Sequence, residues 1–295
     1  MGVPSFITVE TEDGSWIGEK DAQKTEKDDV KVTYETTPET EEIWLTADQT
    51  KVKTIKLRWN TPVNKKSRIL GGSWERTYGD VDWKGISGSR FMPWYFLAAA
   101  GETVTGYGVK VRPSAMCFWQ ADTRGITLVM DVRCGGMGVT LSGRKLRAAQ
   151  IVAMQTEGMS TFESAREFCK VMCTDPIVPE YPVYGSNNWY YAYGDSSEKE
   201  ILQDTDYIVA LTKGVDNPPY MVIDDCWQEH HRLNEYNGGP WKKGNKKFPD
   251  MGALAKKLEE KGVTVTTTAD SQLFHIGEYA KAEEEDEEAE ETPAK

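Results

Sequence analysis

The chain has 295 residues, of which 39% are hydrophobic and 28% are charged, which is typical of a globular protein long enough for two domains. Residues 283–291 contribute eight acids and no base, so the rest of the chain carries only −4 of the net charge of −12. The acidity therefore belongs to one segment. Since no basic stripe is present, the composition argues against nucleic acid as a partner.

The sequence also argues against export and membrane insertion. No basic segment followed by an apolar run opens the chain. The longest apolar run, residues 91–101, is about half the length of a membrane span and contains Pro93. Together with an odd number of cysteines, five, these features predict a cytoplasmic protein with free thiols and no membrane contact.

Residues 1 to about 155 have the pattern of one strand after another. Seven segments are rich in Val, Ile, Thr and aromatic residues, many alternate apolar with polar residues, and turn residues separate them. These segments are residues 7–11, 29–37, 41–48, 52–59, 105–111, 126–134 and 150–156. The stretch is too long for a seven-stranded immunoglobulin module, so we predict a large antiparallel β-sandwich as a domain over residues 1–178.

The pattern then changes to helices alternating with strands. A helix is predicted to begin at a capping box of Ser160 and Glu163 and to end near Val171. Cys169 and Cys173 lie four residues apart on it, and without a second ligand pair at zinc spacing we favour buried free thiols over a metal site. Prolines 176, 179 and 182 then indicate a domain boundary.

After this boundary the order is β-α-β-α-β. The predicted strands lie within residues 182–194, 219–227 and 263–270, and the predicted helices at 198–214, capped by Ser197 with Glu200, and at 250–262. Over residues 179–270 this order predicts either a parallel sheet or the first three strands of a (β/α)₈ barrel. A complete barrel needs about 250 residues, so five strands would be missing. Residues 271–295 read as an acidic, disordered tail.

Asp224 and Asp225 end the second predicted strand of this unit, at the edge where barrel active sites lie. Adjacent residues of a strand point to opposite sides, so this pair does not predict the two facing carboxyls of a glycosidase, about 5–9 Å apart. Hydrogen bonding to sugar hydroxyls and capping of a turn both remain open. Trp189 follows the previous strand and should open onto the same edge, as the floor of a sugar subsite or as an aromatic plug.

His230 and His231 follow the acid pair and Cys226, which raises the question of a metal site. Their spacing matches no standard ligand set, so a solvated loop is favoured and no metal is predicted. The sequence also contains no phosphate-binding glycine loop and no nucleophile elbow.

Several segments together resemble one family. Residues 183–194, 219–227 and 247–263 resemble, in order and spacing, the first half of the melibiase barrel in the α-galactosidase clan of glycoside hydrolases. Residues 69–83 are similar to a segment in the N-terminal β-sandwich of its bacterial members, so that the likeness runs over about residues 69–263. The resemblance implies retaining cleavage of terminal α-galactosides, these sugars as partners and no cofactor. Because the bacterial relatives are often oligomers, it also allows a homo-oligomer.

The resemblance implies residue roles as well. Trp189 matches the subsite tryptophan of the family, Asp224 and Asp225 match the pair that holds galactose hydroxyls, and Trp227 completes the motif. The nucleophilic and acid/base aspartates of the family end the fourth and sixth barrel strands. This sequence has neither strand, so no catalytic residue is predicted.

The likeness ends abruptly after Val263, which favours a truncated or chimeric chain without activity. Two alternatives remain: a galactoside-binding protein without catalysis, and a fragment product without function.

Overall fold

The computed structural model describes residues 1–73, 82–229, 243–269 and 272–275. The chain divides into two compact units, residues 1–176 and 177–295, each with its own hydrophobic core. The division falls close to the end of the first predicted domain at residue 178. No helix in these described ranges combines the length and the apolar composition that crossing a membrane requires.

The first unit is built mainly from strands. Within its described residues they are β1 (Phe6–Thr11), β2 (Ser15–Ile17), β3 (Lys24–Lys27), β4 (Val30–Thr36), β5 (Glu41–Ala47), β6 (Val52–Trp59), β7 (Arg68–Gly71), β8 (Met92–Pro93), β9 (Tyr95–Ala100), β10 (Thr103–Val109), β11 (Met116–Asp122), β12 (Gly125–Asp131) and β13 (Leu146–Glu157). They form a six-stranded sheet in the order β2-β1-β6-β12-β11-β8 and a seven-stranded sheet in the order β3-β4-β5-β13-β10-β9-β7.

Side-chain alternation places the core between these two sheets. In β5, Ile43 and Leu45 are buried while Trp44 between them is partly exposed, as a period of two requires. Val9 and Leu57 of the other sheet belong to the same buried cluster. The strand pairings within both sheets are antiparallel, for example β4 with β5 and β1 with β6. A shared core between antiparallel sheets is a β-sandwich, as the sequence predicts.

Helix α1 (Thr161–Met172) packs on the sandwich and has the predicted capping box. The backbone N–H of Glu163 donates to Ser160 Oγ at 3.2 Å, and the backbone N–H of Ser160 donates to Glu163 Oε2 at 3.1 Å. On the buried face, Phe168 lies against Gly106 of β10, where an added Cβ would lie 2.8 Å from the Phe168 ring. The glycine therefore allows the helix to approach the sheet closely.

The second unit has a four-stranded sheet in the order β14 (Gly185–Asn187), β15 (Tyr220–Ile223), β16 (Thr264–Ala269) and β17 (Gln272–His275). Its helices are α2 (Trp189–Ala192), α3 (Glu198–Leu211) and α4 (Met251–Glu260), with a short 3₁₀ helix at Tyr193–Asp195. The core of the unit includes Ile201 of α3, Leu254 and Leu258 of α4, and Met221, Ile223 and Val265 of the sheet.

Strands β14, β15 and β16 are parallel, in the order that β-α-β-α-β implies. Their interpretation as the first three strands of a (β/α)₈ barrel stays a prediction. The predicted capping by Ser197 and Glu200 takes another form, because the Ser197 hydroxyl donates to the Glu200 carboxylate and accepts no backbone N–H.

The sequence predicts a disordered tail over residues 271–295, but residues 272–275 form strand β17. This strand pairs antiparallel with β16 and places His275 opposite Thr266. The segment QLFH carries two apolar residues and no acid, and the exposed backbone groups of an edge strand favour pairing with such a neighbour. The rest of the predicted tail lies outside the described residues.

Phe168 should contribute strongly to the stability of the first unit because its side chain is fully buried between α1 and the sheet. We expect Phe168→Ala to lower the free energy of unfolding by about 3–5 kcal/mol through the cavity it leaves. Phe162→Ala on the same helix is the matched control: this side chain is 70% exposed, so the change should stay within about 0.5 kcal/mol. Urea unfolding followed by tryptophan fluorescence measures both, and equal midpoints for the two variants would contradict the packing described.

Candidate functional site

The candidate site lies where β14 and β15 end. The two strands are parallel, with Asn187 opposite Val222, so their carboxyl ends meet at one edge of the sheet. Asn187 is the last residue of β14, and Asp224 directly follows β15. Such edges are where ligands of parallel sheets usually bind.

Two consecutive asparagines join these strand ends. The fully buried Asn188 accepts the backbone N–H of Asp224 on its Oδ1 at 2.7 Å. The side-chain amide of Asn187 donates to Asp224 Oδ2 at 2.8 Å, and its Oδ1 accepts the backbone N–H of Trp189 at 2.7 Å. Asn187 therefore fixes both the carboxylate of Asp224 and the first residue of α2. Sequence reasoning missed this role, although the doublet before the tryptophan is its signal.

Asp224 and Asp225 do not lie within the strand, because β15 ends at Ile223. Asp224 Oδ1 accepts the backbone N–H of Asp225 at 2.8 Å. Asp225 Oδ1 accepts the backbone N–H of Cys226 at 2.8 Å and Nε2 of the fully buried Gln228 at 2.9 Å. One oxygen of each carboxylate thus stabilises the turn, which is the capping role that the sequence left open. The sequence analysis expected the side chains of Asp224 and Asp225 to point to opposite sides, as neighbours in a strand do. Because both residues lie in a turn, this expectation does not apply.

Cys226 occupies a strained position in this turn. Its φ of 75° lies in the left-handed region, which a residue with a side chain rarely adopts away from functional or tightly packed sites. Burial, and then the negative charge of Asp225, raise the pKa of the Cys226 thiol to about 11. The thiol is therefore neutral near pH 7, which makes it a poor nucleophile and a poor metal ligand.

A cluster of aromatic side chains follows the strand end. Trp189 is half-buried and its ring packs edge-to-face on Tyr193, with the ring centroids 5.5 Å apart. Tyr190, Tyr191 and Tyr193 are exposed. An exposed aromatic cluster beside carboxylates suits a ligand with an apolar face and polar edges. The sequence analysis singled out Trp189 and missed the tyrosines, although the run WYYAY marks them.

Trp227 has a different environment from the other predicted site residues. Its side chain is 3% exposed and belongs to the core of the second unit, together with Phe248 and Leu254. This burial favours a supporting role beneath the acid turn over direct contact with a ligand. A motif identifies such a residue but does not indicate on which side of the backbone its ring lies.

The loop before α4 also forms hydrogen bonds to the turn that follows β15. Asn245 Nδ2 donates to the carbonyl of Cys226 at 2.8 Å, and the Asn245 backbone N–H donates to the carbonyl of Trp227 at 2.8 Å. Lys247 Nζ donates to the carbonyl of Gly194, beyond α2, at 2.9 Å. These contacts connect three chain segments at one place, and sequence reasoning did not anticipate either residue.

No group of three His, Cys, Asp or Glu side chains that could hold a metal ion occurs in the part of the chain that the structure describes. His230 and His231 lie outside that part. Cys169 and Cys173 are free thiols, but the prediction that they are buried is wrong: Cys169 is exposed and Cys173 half-buried. The buried face of α1 carries Phe168 instead, which leaves Cys169 on the solvent side.

The raised pKa of Cys226 predicts slow alkylation. With a pKa of about 11, only ~0.1% of the thiol is thiolate at pH 8, so its reaction with iodoacetamide should accelerate steadily up to about pH 11. Asp225→Asn removes a negative charge that raises the pKa and should accelerate the reaction at any pH in this range. Peptide mass spectrometry measures the rate, and the exposed Cys134 controls for the reagent. Full labelling of Cys226 within the same time as Cys134 at pH 8 would contradict this assignment.

No protein-family model matches the sequence, and no curated protein matches it. Solved structures do show similarity. AgaB, a GH36 α-galactosidase from Geobacillus stearothermophilus, is 14% identical with a TM-score of 0.50, over 90% of this chain and 45% of its own. TtGalA, an α-galactosidase from Thermus thermophilus, is 15% identical with a TM-score of 0.48, over 82% of this chain and 48% of its own.

The α-N-acetylgalactosaminidase NagBb from Bifidobacterium bifidum is 8% identical with a TM-score of 0.45, over 88% of this chain and 52% of its own. The chain thus spans about half the length of these solved structures. At such low identity the similarity to AgaB concerns the fold alone. Within that limit, the chain resembles the GH36 α-galactosidases, as its sequence motifs suggested.

Proposed function

We propose that this chain is an α-galactosidase-like glycoside hydrolase unit whose strand-end residues bind the terminal galactose of α-galactosides. The observation that carries the proposal is the hydrogen-bonded cluster in which Asn187 holds both Asp224 and the backbone of Trp189. The fold similarity to AgaB supports it. In this proposal the three parallel strands are the beginning of a (β/α)₈ barrel.

The chemistry of a hexose matches the side chains available. A sugar ring has an apolar C–H face that packs on an indole such as Trp189. Its hydroxyls donate to carboxylates, and such charge-assisted hydrogen bonds are roughly twice as strong as neutral ones. Asp224 and Asp225 each hold one oxygen in the turn, which fixes the orientation of the whole carboxylate. Because the turn is already ordered, little conformational entropy is lost when a sugar binds.

Hydrolysis with retention needs two carboxyls about 5–5.5 Å apart, one as nucleophile and one as acid and base. In the family that the sequence resembles, these groups end the fourth and sixth barrel strands, and this sequence has no counterpart to either strand. The carboxylates of Asp224 and Asp225 are used to order the turn and suit binding better than catalysis. We therefore propose that the 295-residue chain binds α-galactosides without cleaving them.

Binding of melibiose should depend on Trp189. We expect Trp189→Ala to weaken binding roughly tenfold or more, because the apolar ring face of the galactose loses its stacking partner. Isothermal titration calorimetry measures the affinity. Tyr190→Ala is the matched control, since this neighbouring side chain is 61% exposed and hydrogen-bonds none of the site residues in the described ranges. Maltose, which has no galactose, controls for unspecific binding. Equal affinities of the wild type and Trp189→Ala would contradict the proposed site.

The chain should release no p-nitrophenol from p-nitrophenyl α-galactoside above the uncatalysed rate, because its sequence has no counterpart to the two strands that carry the retaining pair in the family it resembles. Absorbance of the product over a long incubation at high protein concentration provides the measurement. Turnover that is abolished by Asp224→Ala would contradict the proposed absence of catalysis. It would not contradict the proposed binding of galactose at this site. Residual turnover that this substitution does not change would indicate a contaminating enzyme.

A further inference from the structure

A cavity lies within the first unit, and none of its lining residues belongs to the candidate site described above. It has a volume of about 570 Å³ and is lined by residues of β9, of the end of β10 with the residues after it, and of the end of α1. This size falls within the range of about 300–1,000 Å³ that is typical of small-molecule sites.

The walls of this cavity are largely apolar. Trp94 and Val111 are 36% and 49% exposed, although both are large hydrophobic residues, and Met172 lines the cavity from α1. Single exposed hydrophobic residues are common on protein surfaces, but several around one concave space mark a site that an apolar group can fill. The apolar walls therefore predict a ligand with an apolar body.

Two residues of the cavity are held in strained conformations. Trp94 has a φ of 67° and Arg112 a φ of 58°, both in the left-handed region, which is a true outlier for an aromatic residue. The backbone of Trp94 is fixed on both sides. Its N–H donates to the carbonyl of Cys117 at 3.1 Å, and its carbonyl accepts the Val109 N–H at 3.1 Å and the indole N–H of Trp119 at 3.2 Å. Strain that the surroundings enforce in this way concentrates at binding sites.

The charge at the cavity is positive and is not neutralised locally. Lys110 and Arg112 line it, and among the residues that the structure describes no acidic side chain lines it and neither cation forms a salt bridge. Arg binds carboxylates in a planar, bidentate geometry, and Lys adds a second positive charge.

We infer that this cavity binds an amphipathic carboxylate, a small molecule with an aliphatic or aromatic body and one anionic head. The body packs against Trp94 and Met172, and the carboxylate pairs with Lys110 and Arg112. The inference uses no part of the galactoside site, so either can fail without the other.

Two thiols in the same cavity provide a readout that needs no enzymatic activity. Cys169 and Cys173 both line it, and Cys169 is exposed to solvent. A ligand in the cavity therefore shields Cys169 from a neutral alkylating reagent. Cys134, which is exposed and does not line the cavity, is the internal control in the same molecule.

The test uses the full chain and decanoate, kept below its micellar concentration, with decanol as the neutral analogue. Peptide mass spectrometry follows alkylation of each cysteine by iodoacetamide. We expect decanoate to slow the labelling of Cys169 at least fivefold with no change at Cys134, and decanol to need at least a tenfold higher concentration. No protection of Cys169, or equal protection by decanol, overturns the inference. Both comparisons use the wild-type chain and do not depend on the folding of a variant.

A pair of double variants tests the role of the cations. Lys110→Gln with Arg112→Gln should abolish the preference for decanoate over decanol. Lys145→Gln with Arg147→Gln is the matched control, because these cations flank another tryptophan, Trp44, at 4.2 and 5.7 Å from its ring centroid. The control pair should keep the preference for decanoate. Loss of the preference in both variants, or in neither, contradicts the proposed head-group contacts.

Discussion

The buried side-chain amide of Asn188 joins the two strand ends on which the candidate site depends. Its Oδ1 accepts the backbone N–H of Asp224, so the turn after β15 is fixed against the end of β14. Such a hydrogen bond contributes about 0.5–1.5 kcal/mol net and favours one arrangement of the turn, although the buried Nδ2 of the same amide has no hydrogen-bond partner among the described residues. Since Trp189 is the next residue along the chain, the same bond also limits where its ring can lie relative to the carboxylates.

Simple periodicity predicted several parts of the fold in which burial follows local rules, but it missed β11, whose residues alternate between buried and partly or fully exposed. Alternation indicated the long strands β4, β5 and β6, and a capping box indicated where α1 begins. Strand β9 was missed because its central residues, Phe96, Leu97 and Ala98, are all buried, so its sequence does not alternate. The order of strands in the two sheets could not be predicted, because it depends on contacts between segments far apart in sequence.

At the candidate site, sequence reasoning indicated which residues belong near the strand ends but not how they are oriented. The period of two applies only as long as the chain stays extended, and it ends at Ile223, one residue before the acids. The side-chain hydrogen bonds that order the site include those of Asn187, Asn188 and Asn245, whose side chains have no periodic signature. The burial of Trp227 likewise follows from the packing of α4, which a strand motif does not describe.

The pairing of β17 with β16 has a consequence for the order in which the sheet assembles. Only residues 270 and 271 connect these two strands, whereas β15 and β16 are connected through a crossover that includes α4. Hairpins form within about 1–10 μs, while a parallel neighbour must first close a much longer loop. The hairpin partner therefore reaches this edge of β16 early in folding. A further parallel strand can join the same edge only as fast as β17 detaches from it.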